Sequence, residues 1–158
     1  MGRLAAMAAA MVLVLAVAGC LAPGPEAVAR NWRPQGAGGQ SLGQLIAVSP
    51  GLVGATWESY DGPAGEPLVR LAVEYAPGKA ALGCPAPAAG SRLGARAFLI
   101  LSLAVGKNGT VDFVSAEGQA YTAGGAFASF PLDIGVIADL VARASPLPCP
   151  ALAVPDYL

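Results

Sequence analysis

The sequence contains no histidine and only three cysteines among its 158 residues. Because histidine is the usual general base and the commonest metal ligand, its absence removes most familiar catalytic and zinc sites. The nucleophile motifs of hydrolases and the phosphate-binding P-loop are also missing from the sequence. We therefore predict that the chain is not an enzyme and that it uses neither a cofactor nor a metal ion.

Charge is scarce as well, since charged residues make up only 12% of the chain, with 9 basic and 10 acidic side chains. The basic residues form no cluster, and this argues against nucleic acid as a partner. The carboxylates Asp61, Asp112, Asp133 and Asp139 fall on an expected turn, an outer strand face and a helix surface. Their spacing favours solvated charges over a catalytic pair.

The N-terminal segment has a single charge, Arg3, followed by unbroken apolar residues from Leu4 to Ala18. A positive start, a short apolar run and small residues at its end are typical of a secretory signal. The alternative is a transmembrane helix, but this run at about 1.5 Å per residue spans roughly 22 Å, short of the roughly 30 Å hydrocarbon core. We predict that residues 1–19 are a cleaved signal peptide.

The end of this segment, Val17-Ala18-Gly19-Cys20, resembles the lipobox of bacterial lipoproteins. The resemblance implies cleavage before Cys20, a lipid on its sulfur and an acyl chain such as palmitate on its new amino group. Several chains would form a stable membrane anchor. Leu21 follows the cysteine at the position where enteric bacteria place an Asp to retain lipoproteins at the inner membrane. We therefore expect this protein to be anchored to the outer membrane and to face the periplasm. The alternative is a plain signal peptide with an accidental cysteine.

The two remaining cysteines, Cys84 and Cys149, would be exported to a compartment where disulfides persist. A bridge between them would close a loop of about 65 residues. By the chain-entropy account it would stabilise the folded state by roughly 4 kcal/mol. We predict this disulfide, with two free thiols as the alternative. Cys84 lies in residues 77–94, a long loop rich in proline, glycine and alanine.

The rest of the chain divides into a short linker and one domain. Residues 20–40 contain three prolines and four glycines and predict a flexible tether, with Trp32 contacting either the domain or lipid headgroups. Residues 41–158 predict a single domain that begins with a short helix, Leu42 to Ala47, capped by Ser41.

Strand signals follow in the order expected of a meander. Residues 55–60, 68–76, 95–105 and 111–116 predict strands, with 95–105 the most apolar and therefore central. In the second strand the residues that share a face are Val69, Leu71, Val73 and Tyr75. Residues 119–129 predict a loop, and an amphipathic stripe predicts a helix that starts at Pro131 and runs through Ala144. The expected fold is α+β: about four antiparallel strands, with a helix before and a helix after packed on one face.

Asn108-Gly109 between two apolar runs predicts a hairpin with a two-residue turn, which requires positive φ at both positions. Asn108-Gly109-Thr110 is also a glycosylation sequon, but the turn already explains these residues.

About a third of the chain is similar to the C-terminal domains of TolA and TonB. The similar part consists of a strand, the turn Lys107-Asn108-Gly109-Thr110-Val111, a second strand, and a helix followed by Pro146-Leu147-Pro148. The leading helix and the strand with Trp57-Glu58 also resemble small exported bacterial proteins of unknown role. Neither likeness implies a specific activity.

We expect a non-catalytic envelope lipoprotein that binds or scaffolds another envelope component. The alternative is a periplasm-facing module for a small apolar ligand held between sheet and helices. A continuous pocket lined by Phe98, Ile100 and Trp57 would favour the ligand. An open strand edge or a flat apolar patch would favour a protein partner.

Overall fold

The computed structural model describes residues 22–76, 96–121 and 127–147. In chain order its elements are α1 (Pro25–Asn31), α2 (Leu42–Ala47), β1 (Leu52–Asp61), β2 (Pro67–Tyr75), β3 (Arg96–Val105), β4 (Val111–Tyr121), β5 (Phe127–Pro131) and α3 (Ile134–Ala142). The strands form one antiparallel sheet in the order β1-β2-β3-β4-β5. The α+β class is confirmed, but the sheet has five strands where the sequence predicted about four.

The alternation of apolar residues in β2 divides the sheet into two faces. Val69, Leu71, Val73 and Tyr75 are all buried in one hydrophobic core, as their spacing predicted. The same core contains apolar residues of all three helices: Ala29 from α1; Leu42, Leu45 and Ile46 from α2; and Ile137 and Val141 from α3. We call this the helix-side face and the other the opposite face. Strand β3 lies in the centre of the sheet, as its apolar composition predicted.

The predicted helix cap at Ser41 is confirmed in full. The Ser41 hydroxyl accepts a hydrogen bond from the Gln44 amide at 3.3 Å, and the Gln44 side chain accepts one from the Ser41 amide at 2.8 Å. This reciprocal pair satisfies two amides that the first turn leaves without helical partners, so a helix of only 6 residues has a defined start.

The interpretation of residues 20–40 as a tether is wrong for α1. This helix buries Ala29 completely against the sheet, and Trp32 after it packs edge-on against Phe113 with ring centroids 6.0 Å apart. Its apolar contacts with the core come from Ala29 and from a half-buried valine, Val28, rather than from large apolar side chains. The packed unit therefore begins before Ser41.

The hairpin at Asn108-Gly109 exists, but its turn is longer than predicted. The Gly109 amide donates to the Gly106 carbonyl, the Gly106 amide donates to the Thr110 carbonyl, and only Gly109 has positive φ, at 78°. This is the pattern of a turn closed by a left-handed glycine rather than a two-residue turn. The β1–β2 hairpin repeats it, with Gly65 at φ 78° and the Gly62 amide donating to the Glu66 carbonyl.

Two further predictions, for residues 119–129 and for the start of the last helix, are wrong. Residues 119–129 were expected to be a loop, but β4 continues to Tyr121 and β5 pairs with it, and the Phe130 ring covers Gly118 so closely that an added Cβ would lie 2.4 Å from it. Pro131 ends β5 instead of starting a helix. Asp133 caps α3 by accepting from the Gly135 amide at 2.8 Å, and the helix begins one residue later.

Candidate functional site

The residues of the predicted lipobox, Val17, Ala18, Gly19 and Cys20, lie outside the described residues, as do Cys84 and Cys149. Their lipidation and disulfide therefore stay predictions. Within residues 22–76, 96–121 and 127–147, no helix has the length and apolar character needed to cross a bilayer.

The pocket that would have favoured a small apolar ligand is not formed by the residues named for it. Trp57 lies opposite Leu71 in the β1–β2 ladder and packs against the helix-side core. Phe98 and Ile100 are paired with Glu74 and Ala72, one step out of phase with the core residues, and so lie on the opposite face. Since alternate residues of a strand point to opposite sides, one pocket cannot contain all three side chains.

The opposite face carries a polar network whose members satisfy one another. On β4, the Tyr121 hydroxyl donates to the Gln119 side chain at 3.1 Å, and Gln119 donates to Glu117 at 3.0 Å. The Ser129 hydroxyl of β5 also donates to Glu117. Hydrogen bonds from Ser129 and then Gln119 lower the pKa of Glu117, because they stabilise its charged form.

Ion pairs complete this face. Arg96 donates a hydrogen bond from Nε to the Glu74 carboxylate at 2.6 Å and lies over the Phe98 ring. This hydrogen bond to Glu74 raises the pKa of Arg96, because it stabilises the charged guanidinium. Arg70 lies 3.6 Å from Glu58. These charges are matched within the sheet, so they leave little unbalanced charge for a ligand.

Strand β1 is an edge strand, because no other strand within residues 22–76, 96–121 and 127–147 pairs with its outer side. In an antiparallel pair, successive residues alternately bond to the partner strand and point away from it. The Gly62–Glu66 bond at the turn fixes this phase, and the register is regular from Gly54 to Asp61. The amides and carbonyls of Ala55, Trp57 and Ser59 therefore point outward from the sheet.

A side chain of helix α1 binds one of these outward-pointing backbone groups. The Glu26 carboxylate accepts hydrogen bonds from the Ser59 amide at 3.0 Å and from its hydroxyl at 3.1 Å. This contact confirms the phase of the strand. It also shortens the free edge to the part of β1 that precedes Ser59.

Beside that free part lies a cleft of about 460 Å³ between β1, α1 and α2. Its lining combines an apolar floor from β1 with polar side chains from the helices and the segment between them: Arg30, Asn31, Arg33, Ser41, Gly43, Gln44, Ile46, Ala47, Leu52, Ala55 and Trp57. None of these lining residues is acidic. The cleft therefore presents positive charge next to open backbone.

The two arginines of the cleft are placed by neutral contacts. The Arg30 guanidinium lies 5.4 Å from the centre of the Trp57 ring, a cation–π arrangement. Arg33 donates from Nη1 to the Gly39 carbonyl. Three of the five arginines in the described ranges, Arg70, Arg96 and Arg143, pair with a carboxylate. Within those ranges Arg30 and Arg33 do not.

Neither arginine was predicted to belong to a site, because residues 20–40 were expected to form a tether. A local signal was available in Pro25-Glu26 followed by Arg30: proline at the first helical position, an acid in the first turn and a base in the last. The proximity of Arg30 to Trp57 has no such signal, since it depends on how α1 crosses the sheet.

The four aspartates for which a catalytic pair was not favoured serve structural roles or lie on the surface. Asp133 caps α3, and Asp139 pairs with Arg143 one helical turn away at 2.9 Å. Asp61 and Asp112 are exposed at strand ends. In the described part of the chain, no three acidic or cysteine side chains come together as metal ligands would.

Comparisons of the chain with family models, with curated proteins and with solved structures gave no match.

Proposed function

We propose that this chain is a lipid-anchored protein of the bacterial cell envelope that binds another envelope protein along the free edge of β1. The observation that carries the proposal is this edge itself, where Ala55 and Trp57 direct backbone groups away from the sheet. An extended segment that adds to such an edge gains main-chain hydrogen bonds, and neighbouring side chains supply specificity.

The two edges of the sheet are unequal, and this supports β1 as the binding edge. Strand β5 has five residues and ends in Pro131, which has no amide to donate. Strand β1 has ten residues, and its Val53 is 61% exposed. Short edges and proline protect a sheet against strand addition. Strand β5 has both features, whereas the Glu26 contact covers β1 only at Ser59.

Anchoring is tested at Cys20. We expect Cys20→Ser to release the protein from membranes or to leave the precursor unprocessed. Mass spectrometry of the membrane fraction should find an acylated N-terminus at Cys20. An intact precursor with an unmodified cysteine would contradict the anchor, and sucrose-gradient fractionation would show whether the outer membrane is the correct location.

Edge binding is tested in cells with a photoreactive amino acid at Val53. The matched control is the same residue at Val136, which is similarly exposed, at 54%, but lies on α3. We expect one discrete adduct from position 53 and none of that size from position 136. The same adducts from both positions, or none from position 53, would contradict binding at the β1 edge.

A further inference from the structure

We infer that the segment bound at the β1 edge carries an acidic side chain, which the cleft receives between Arg30 and Arg33. The inference rests on the proposed edge binding and adds the chemistry of the partner. It starts from the contrast between the cleft arginines and the three paired arginines of the described residues.

The register of β1 places the cleft where an added strand would need it. Ala55 and Trp57 point their backbone groups outward and their side chains to the helix-side face. A residue of an added strand directly opposite either one would place its side chain on that same face, with Cβ atoms about 5 Å apart. Arg30 already lies over the Trp57 ring at this position.

The chemistry of the two arginines favours a carboxylate. A guanidinium has five N–H donors, and Arg33 uses one of them on the Gly39 carbonyl. Arg30 contacts an aromatic face, which leaves its N–H edge available. Carboxylates bind such a planar fork with two parallel hydrogen bonds, and these charge-assisted bonds are stronger than neutral ones.

A carboxylate of the protein itself already binds this edge, with a backbone amide and a hydroxyl as its donors. Glu26 places a carboxylate against the same edge, where it accepts from the Ser59 amide and hydroxyl. An acidic side chain of a partner strand would lie two residues further along, opposite Trp57, where the cationic cleft begins. The net charge of the chain is −1, so attraction of an acidic segment would come from this local charge and not from the whole protein.

The test uses the full chain in detergent micelles and a blocked Val-Glu-Val-Glu-Val peptide, with Val-Gln-Val-Gln-Val as its neutral counterpart. We expect the acidic peptide to bind about tenfold more tightly at low salt, the effect of one charge-assisted hydrogen bond, and to lose this advantage at high salt. Arg30→Gln and Arg33→Gln should each remove most of the preference. Arg143→Gln, which changes the exposed arginine at the C-terminal cap of α3, should leave it intact.

Arg33→Gln keeps the test valid if Arg30→Gln fails to fold, because Arg33 is exposed and Arg30 packs on Trp57. Equal affinity for the two peptides, or unchanged binding by both arginine variants, would overturn the inference. Glutarate binding as tightly as the acidic peptide would also overturn it, since the cleft would then take small acids without a strand. If any of these results came with the Val53 adduct intact, edge binding would stand and only the acidic chemistry would fail.

Discussion

We predict that the free energy of unfolding falls at alkaline pH because of one buried side chain, Tyr75. Its side chain is only 1% exposed at the end of β2, and its hydroxyl donates to the Leu147 carbonyl at 3.4 Å. Burial raises the pKa of Tyr75 to about 12, because the core disfavours the charged phenolate, and the Ser49 side chain opposes this shift. The neutral phenol is therefore the form that the fold accepts.

The sign and size of the effect follow from the two pKa values. In the unfolded chain Tyr75 ionises near its ordinary value of 10.0, whereas in the folded protein it does so near 12. Stability from this group is thus complete below pH 10 and is lost as the pH rises toward 12. The total is about 3 kcal/mol, of which roughly 1 kcal/mol is lost between pH 9 and pH 11.

The measurement is urea unfolding of the wild type and of Tyr75→Phe at pH 9 and at pH 11. The wild type should lose roughly 1 kcal/mol more than the variant over this interval. Tyr60→Phe, which removes an exposed hydroxyl on β1, is the matched control. If Tyr75→Phe lost as much stability as the wild type, the buried phenol would not be the source of the pH dependence.

Two further predictions concern the hairpin and the disulfide. Gly109→Ala should destabilise by about 1 kcal/mol, because φ is 78° there and nothing lies within 4 Å of the new Cβ, so only backbone strain is added. Gly54→Ala, equally open but without positive φ, is its control in urea unfolding, and equal midpoints would refute the strain. A non-reducing peptide map should show Cys84 linked to Cys149, and two thiols that alkylate before reduction would contradict the bridge.

The elements that the sequence predicted well are those determined by neighbouring residues. From Val69 to Tyr75, large apolar residues of β2 alternate with Arg70, Ala72 and Glu74, so its core face could be assigned from spacing alone. The helix after Ser41 begins with a serine and a glutamine three positions later, a local signal that tertiary packing did not override. The central position of β3 followed from its apolar residues on both faces.

The elements that were missed depend on contacts between distant residues. Strand β5 exists through its pairing with the second half of β4, and the key contact joins Phe130 to Gly118. A glycine inside a strand weakens the local signal, yet here it provides the space that the Phe130 ring fills. Helix α1 was missed for a similar reason, since Ala29 contributes by allowing close approach and not by its own apolar bulk.

In the candidate site, too, the part determined by neighbouring residues was predicted and the part determined by contacts between distant residues was not. The sequence indicated the strand with Trp57, but nothing in it placed Arg30 over that ring or left Arg33 without a carboxylate among the described residues. The position of Arg30 arises because α1 crosses β1, β2 and β3 on the helix-side face. The same crossing brings Glu26 to Ser59, where it closes part of the edge and leaves the part beside the cleft open. One short helix thus limits where a strand can add and supplies the charge it would meet, so the edge and the cleft are best understood as a single site.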